Sequence, residues 1–272
     1  MKKMNKITVI GSGTSTGVPI LGCKCSVCQS NDIRNKRFRT SAVIELTNGS
    51  RILIDSSPDL RTQLICNRID RIDSVIITHD HADHTHGIDD LRPFGFHKGS
   101  GLTVFTNPET AASLTKKFPY IFDRQVYFKD RRILGGGIPL LELKEISEGP
   151  WSIEDETFEF YSLPHGHENT LGIRHGKMAY LIDCREIPPS TLEKLYNARL
   201  DLLIIDCLRP LPHQTHLHLE RTLEYIEKIK PCLSVLTHMG HEWDYRKLSE
   251  ELIRHGVKNT IPAIDGQSFL YS

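Results

Sequence analysis

Six apolar runs in this chain each close on an aspartate or a histidine. They are RILID ending at Asp55, SVIITH at His79, FEFYSLPH at His165, MAYLID at Asp183, DLLIID at Asp206 and LSVLTH at His238. Short runs rich in β-branched and aromatic residues read as strands. A single Asp at a strand end is the ordinary start of a turn. Six such endings, all C-terminal to their runs, predict strand ends that converge on one rim.

Helical patterns lie between these runs. SPDLRTQLICNRI places Ser57 as N-cap and Pro58 at the first helical position, with Leu60, Leu64 and Ile65 on one face. STLEKLYNA sets Ser190 and Glu193 at capping-box spacing. HLERTLEYIEKIK aligns Leu219, Leu223, Ile226 and Ile229 opposite its charges. DYRKLSEELIRHG repeats the stripe with Tyr245, Leu248 and Leu252 and stops at Gly256. KITVIGSG and SAVIEL alternate like further strands. The class is α/β with a strand-rich first half, in one domain over residues 1–272. No linker, low-complexity tract or fixed-period repeat interrupts it; LGGGIP at 134–139 reads as a loop.

Composition removes several functions. Lys plus Arg equals Asp plus Glu at 34 each, so no basic surface for non-specific nucleic-acid binding is implied, although a local patch such as KDRR or RRILGGG is compatible with that sum. With 39% hydrophobic and 25% charged residues, the chain has the make-up of a soluble globular protein. The basic N-terminus carries too short an apolar stretch for a signal peptide, and no run reaches membrane-spanning length. The expected location is cytoplasmic. Seven cysteines, an odd number, fit a reduced compartment better than a disulfide framework. Cys66, Cys184, Cys207 and Cys232 read as small core residues. Gly11, Gly13 and Gly17 miss the dinucleotide spacing by one residue, so GSGTSTGVP reads as a turn, not a nucleotide cradle.

The densest chemistry is HDHADH, residues 79–84. His79 and His81, two apart on an extended segment, point the same way. Asp83 and His84 are adjacent and suit a second ion in a tight turn. Burying so many titratable groups without a ligand costs several kcal/mol, on the order of a few per group. Imidazole and carboxylate suit zinc, iron or manganese. Asp183 is the candidate bridge between two metals, and His165 and His238 complete the two shells. Asp55 fits a partner that holds a ligand imidazole. His86 reads as solvated, with a place behind a ligand imidazole as the alternative, and His167 as a solvated loop residue or a further proton-donor candidate. GCKCSVC supplies Cys23, Cys25 and Cys28, one ligand short of a structural zinc site.

With LPH, LID and LTH further along, HDHADH resembles the metallo-β-lactamase superfamily. GSGTSTGVPILGCKCSVC, LIDSSPDL, THDHADHTHGIDDLRPF, PHQTHLHLE and LTHMGHEWD are similar to the branch containing the phosphoribosyl cyclic phosphodiesterase of the carbon–phosphorus lyase pathway. The likeness covers almost the whole chain and is weakest between Phe94 and Phe160, the stretch expected to shape the substrate pocket.

The resemblance implies a four-layer αββα sandwich with the site at one edge of two sheets. It implies His79, His81 and His165 on one divalent metal, Asp83, His84 and His238 on the other, and Asp183 between them, with zinc or manganese as the ions. It adds His241 as the fourth ligand of a structural zinc held by Cys23, Cys25 and Cys28. From PHQTHLHLE, where sequence leaves His213, His216 and His218 open, it selects His216 as the proton donor. Asp83 is given a catalytic role as well as a ligand role.

The expected activity is hydrolysis of a small phosphodiester, cyclic ones included, by a hydroxide held between two metals. Arg209 is a candidate for substrate phosphate, or for a structural salt bridge. A homodimer follows from the resemblance only. The rivals are a ribonuclease that trims transfer-RNA ends, which needs a long basic arm absent from this sequence, thioester or lactam hydrolysis, and a non-catalytic accessory protein of a quinone-cofactor pathway.

Overall fold

The computed structural model describes residues 4–98, 101–123, 125 and 138–272. The basic patch expected at 129–132 and most of the loop at 134–139 lie outside them.

Strand periodicity explains the layers. In β3 (Arg51–Ile54), Ile52 and Ile54 pack into the core shared by both sheets, while Leu53 packs into the core under the helices of the first half. In β2 (Ser41–Glu45), Ala42 and Ile44 face the shared core and Val43 the other. β4 (Ser74–Ile76) divides Val75 and Ile76 in the same way. Both faces of these strands are covered, so they read as continuous apolar runs. Each fully buried Ile or Leu is worth about 2 kcal/mol in transfer from water. A slip of one residue would still bury apolar groups here, but it would swing every strand-end ligand to the wrong face.

The first sheet runs β14 (Gln267–Tyr271), β1 (Asn5–Gly11), β2, β3, β4, β5 (Leu102–Thr106), β6 (Leu141–Glu145). The second runs β13 (Thr260–Pro262), β12 (Leu233–Thr237), β11 (Leu202–Asp206), β10 (Met178–Leu181), β9 (Glu168–His175), β8 (Glu156–His165), β7 (Gly149–Ile153). The last strand thus returns to pair antiparallel with the first. Helix Leu60–Cys66 and helix Pro108–Lys117 bury Leu60, Leu64 and Leu114 on the outer face of the first sheet. Helices Pro189–Ala198, Leu219–Ile229 and Tyr245–Arg254 add Leu195, Tyr225, Ile226 and Leu248 to the core of the second half. This is the four-layer αββα sandwich that the sequence resemblance implies. Among the described residues no helix is long and apolar enough to cross a membrane.

The common rim follows from strand direction. β3 and β4 are parallel. β10, β11 and β12 are parallel, and β8 runs the same way because β9 is antiparallel to both β8 and β10. The C-terminal ends carrying the six Asp and His residues therefore share one edge in each sheet.

Some local expectations fail. Helix Leu60–Cys66 starts after a turn whose Asp59 is the cap residue, and the Ser57 hydroxyl instead donates to Gln63 Oε1. Gln63 takes the buried place beside Leu64, leaving Ile65 exposed. Ser190 makes no capping bond, since Pro188 stands at the cap. Cys184 and Cys207 are buried, but Cys66 and Cys232 are exposed at a helix end and before a strand start. An apolar neighbourhood in sequence does not fix which face a terminal residue takes.

Candidate metal centre

Backbone geometry at the rim aims the side chains. Asp55, Asp183 and His238, each just past a strand, adopt left-handed φ of 61°, 49° and 57°. This conformation costs a non-glycine residue of order 1 kcal/mol or more. It turns the chain sharply and leaves the side chain in the cleft between the sheets. All three are essentially buried.

Hydrogen bonds then fix which ring nitrogen faces the cluster. His84 Nδ1 lies 2.8 Å from Asp55 Oδ2. His165 Nδ1 donates to the Thr215 carbonyl at 3.0 Å. The Thr40 hydroxyl donates to Gly13 O at 2.7 Å, so at 2.9 Å it accepts from His238 Nδ1. In the His165 and His238 rings Nδ1–H is engaged and Nε2 presents its lone pair to the centre. His84, whose burial opposes its charge but which Asp83, Asp183 and Asp55 hold well above the ordinary imidazole range, turns Nε2 to the same place. This is the arrangement that orients metal-binding imidazoles.

Ligand-type atoms converge in sets, each within 4.8 Å: His79, His81 and His165; Asp83, His84 and His238; and His79, His84 and Asp183. Asp183 reaches both sides, with Oδ2 3.2 Å from His84 Nε2 and Oδ1 3.2 Å from His238 Nε2. Both expected triads and the bridging carboxylate are therefore brought together. The fit to cations rests on ill-satisfied atoms: His79 Nε2 is buried with no hydrogen-bond partner, and His84 Nε2 and Asp183 Oδ2 meet at 3.2 Å without hydrogen-bond geometry. Unmet groups of this kind cost about 1–3 kcal/mol each unless something binds them. Burial holds His79 well below the ordinary imidazole range, with further lowering from His84, and burial also lowers His165 and His238. Neutral imidazole is the form that coordinates metal.

His216 sits over this cluster. Its ring stacks on His238 at 4.8 Å and 15°, and meets His165 edge-on at 4.8 Å. Nδ1 is 3.0 Å from Asp206 Oδ2 and 3.5 Å from Asp183 Oδ1. Burial opposes its charge, but Asp206 and Asp183 carry the imidazole up to about 9. His165, Asp183 and His216 also satisfy the spacing of a metal set. The shorter bond to Asp206 occupies Nδ1 and leaves Nε2 free, as the Asp55 bond does for His84. Of the neighbours, His213 bonds within its own loop to Thr215, and His218 is the cap residue of helix Leu219–Ile229. Arg209 donates to the carbonyls of Leu211 and Pro212 at 3.1 and 2.6 Å, so it shapes this loop, and it makes no salt bridge among the described residues. His86 packs edge-on against Phe118, away from the ligands.

The cysteine set is regular. His241 Nδ1 lies 3.4, 3.6 and 3.5 Å from the Sγ atoms of Cys23, Cys25 and Cys28. A tetrahedron with Zn–S near 2.3 Å and Zn–N near 2.0 Å has S···N edges of about 3.5 Å. These residues could hold a structural zinc, tying the N-terminal loop to the turn after β12.

The chain belongs to the metallo-β-lactamase superfamily: the family model for the β-lactamase superfamily domain matches residues 50–239. Within it, the chain is similar to a diphosphatase from the PhnP family, at 32% identity and a TM-score of 0.87 over 98% of this chain and 97% of that one. It is 39% identical over 235 residues to the octanoyltransferase of Porphyromonas gingivalis, covering 86% of this chain but 45% of that protein. The chain thus spans less than half of that relative. It is 30% identical over 223 residues to coenzyme PQQ synthesis protein B of Methylorubrum populi, with 74% and 72% covered.

Asp206, Thr40 and the Thr215 carbonyl are supporting groups that sequence reasoning did not assign. Asp206 carried the same strand-end signal as the ligands. The other two carried none.

Proposed function

We propose that this hydrolase is a metal-dependent phosphodiesterase acting on small phosphodiesters, cyclic ones among them. The observation that carries the reading is the His216–Asp206 pair standing directly over the seven ligand-type side chains. His79, His81 and His165 would hold one divalent cation, Asp83, His84 and His238 the other, with Asp183 shared. When bound, such a pair of ions polarises phosphoryl oxygens and lowers the pKa of water. Zinc and manganese both suit these donors.

The protein's own part is positional. Asp206, fully buried, engages His216 Nδ1 and leaves Nε2 to hold the proton for a departing alkoxide. Asp83, the most solvent-accessible member of its triad at 8%, is the carboxylate placed to take a proton from water. Cys23, Cys25, Cys28 and His241 would hold a structural zinc. Its distance from the rim is bridged by the loop that supplies Thr40 to His238.

The diphosphatase among the similar structures supports phosphoryl chemistry, and its 32% identity leaves the substrate to experiment. A non-catalytic role has no use for an oriented proton carrier. The test is turnover of a small cyclic ribose phosphate and of bis-nitrophenyl phosphate by protein of measured metal content, with a transfer-RNA precursor alongside. Hydrolysis of either small ester supports the reading. No turnover of both at full metal occupancy overturns it, and trimming of the precursor alone moves the assignment to the ribonuclease.

A further inference from the structure

GSGTSTGVP closes as a turn: Gly17 N donates to the Thr14 carbonyl at 2.8 Å, and Gly17 holds a left-handed φ of 61°. The residues before that turn are wedged between two other segments. Gly13 N donates to Phe38 O at 2.8 Å, Met239 N donates to Ser12 O at 2.9 Å, and Thr14 N donates to Met239 O at 3.3 Å. Gly13 thus bridges Arg39 on one side and Met239 on the other. Glycine permits the approach. A Cβ on Gly11 would stand 2.0 Å from Arg39 O, and one on Gly13 3.0 Å from Phe38 O.

This wedge delivers Thr14 to the metal rim. His238 Nδ1 donates to Thr40 Oγ1, which donates in turn to Gly13 O. The His238 Nε2 therefore carries the lone pair, and it accepts from the Thr14 hydroxyl at 3.1 Å. Gly13 and Thr14 hold the two ends of one ring. Nε2 of His79 is buried with no hydrogen-bond partner, whereas that of His238 is met by a hydroxyl. Thr14 is half-buried, with Ser15 and Thr16 exposed beyond it, so this end of the turn is open to solvent.

A cation on His238 takes the lone pair that Thr14 now uses, and the hydroxyl must then find another acceptor. His238 does not need Thr14 for its orientation, because Thr40 already fixes Nδ1. The acceptors that an ester brings to the same ion are its non-bridging phosphoryl oxygens, where negative charge is concentrated. We infer that Thr14 Oγ1 donates to one of these oxygens on the Asp83–His84–His238 side, which makes Thr14 a substrate-binding residue of the rim. This rests on the phosphodiesterase reading and deepens it. A donor held by backbone bonds to a neighbouring segment needs little reorganisation as charge develops on the oxygen it meets.

Thr14→Val removes the hydroxyl and keeps the shape, and Thr14→Ser keeps the hydroxyl. Three quantities are read: metal per chain after dialysis against graded chelator, the Kd of the metal-loaded protein for inorganic phosphate, and kcat/KM for bis-nitrophenyl phosphate. In Thr14→Val, metal retention equals or exceeds that of wild type, because His238 gives up no hydrogen bond to the ion. Phosphate affinity and kcat/KM each fall about 10- to 100-fold, the worth of one hydrogen bond to a charged group. Thr14→Ser recovers most of both. Wild-type phosphate affinity and kcat/KM in Thr14→Val overturn the inference and leave the phosphodiesterase reading standing. So does loss of metal from Thr14→Val, which makes the hydroxyl a prop of the ion site. Equal losses in the two variants trace the effect to the methyl group and overturn it as well. A wild type that hydrolyses neither bis-nitrophenyl phosphate nor a cyclic ribose phosphate at full metal occupancy removes the phosphodiesterase reading and this inference together.

Discussion

His84 and Asp55 form a fully buried pair, Nδ1 to Oδ2 at 2.8 Å, with neither side chain exposed. Asp55 also accepts from the Thr78 backbone N at 2.8 Å. Its two oxygens thus fix both the turn after β3 and the orientation of a ring in the metal cluster. Asp55→Asn places an amide N–H against one of these donors. Metal affinity of the rim should fall about 10- to 100-fold, the usual effect of losing a carboxylate behind a ligand histidine. Metal per chain after dialysis against graded chelator measures it, and retention equal to wild type would exclude a supporting role for Asp55.

His216 is assigned the proton and not the metal, and the two roles predict different losses. His216→Asn should lower kcat about 10²- to 10⁴-fold with metal content intact. Asp206→Asn should give a smaller loss, because the ring remains but its orientation is no longer fixed. If His216→Asn instead strips metal from the rim, then His165, Asp183 and His216 form a ligand set and the proton must come from elsewhere.

The rim was legible because its signal is local. Each ligand either ends an apolar run or lies in HDHADH, and parallel strand direction then does the gathering. The alternation of Ile52, Leu53 and Ile54 likewise shows in sequence as an unbroken apolar run. The choice among His213, His216 and His218 was not legible. It depends on a loop that Arg209 folds by bonding two of its carbonyls, and such irregular backbone has no period to read. Thr40 was invisible for a related reason: its contact with His238 spans 198 residues, and threonine has no ligand signature of its own. The capping expectation at Ser190 failed where Pro188 stands at the cap, and that at Ser57 where the helix starts after a turn with Asp59 as cap.

The cysteine site should prove separable from the rim. Cys28 is buried in a small cluster with Val18 and Val27, outside the two main cores, so the cysteine stretch has little apolar packing of its own, while Asn35 and Arg37 tie the rest of the loop to Asp244 and Trp243. Cys28→Ser should remove about one metal per chain and leave the rim ions in place. Hydrogen exchange should quicken across residues 13–40 more than in β10–β12. A secondary loss of activity is expected, since the same loop carries Thr40 to His238. Elemental analysis showing wild-type metal in the variant would sink the structural-zinc assignment.

Asp265 gives the protein a pH signature at a group whose hydrogen bonds go to Ser12 and Phe38 and not to the metal ligands. Its carboxyl accepts from Ser12 N at 2.8 Å, Ser12 Oγ at 2.6 Å and Phe38 N at 2.6 Å. Burial nevertheless dominates and pushes it up to about 6, against hydrogen bonds that pull it down. In an unfolded chain an aspartate titrates near 3.9. The folded state therefore holds the extra proton between these values, and the stability this contributes is complete below about pH 4 and lost as pH rises through about 6. Asp265→Asn cannot titrate, and it presents an amide to donors that need an acceptor, so it is less stable throughout. The wild-type advantage in unfolding free energy should shrink by roughly 2–3 kcal/mol from pH 4 to pH 7. Urea titrations of both proteins at a series of pH values, with metal content matched, read this difference. An advantage that stays flat or grows with pH would mean that the three hydrogen bonds outweigh burial and Asp265 is ionised throughout.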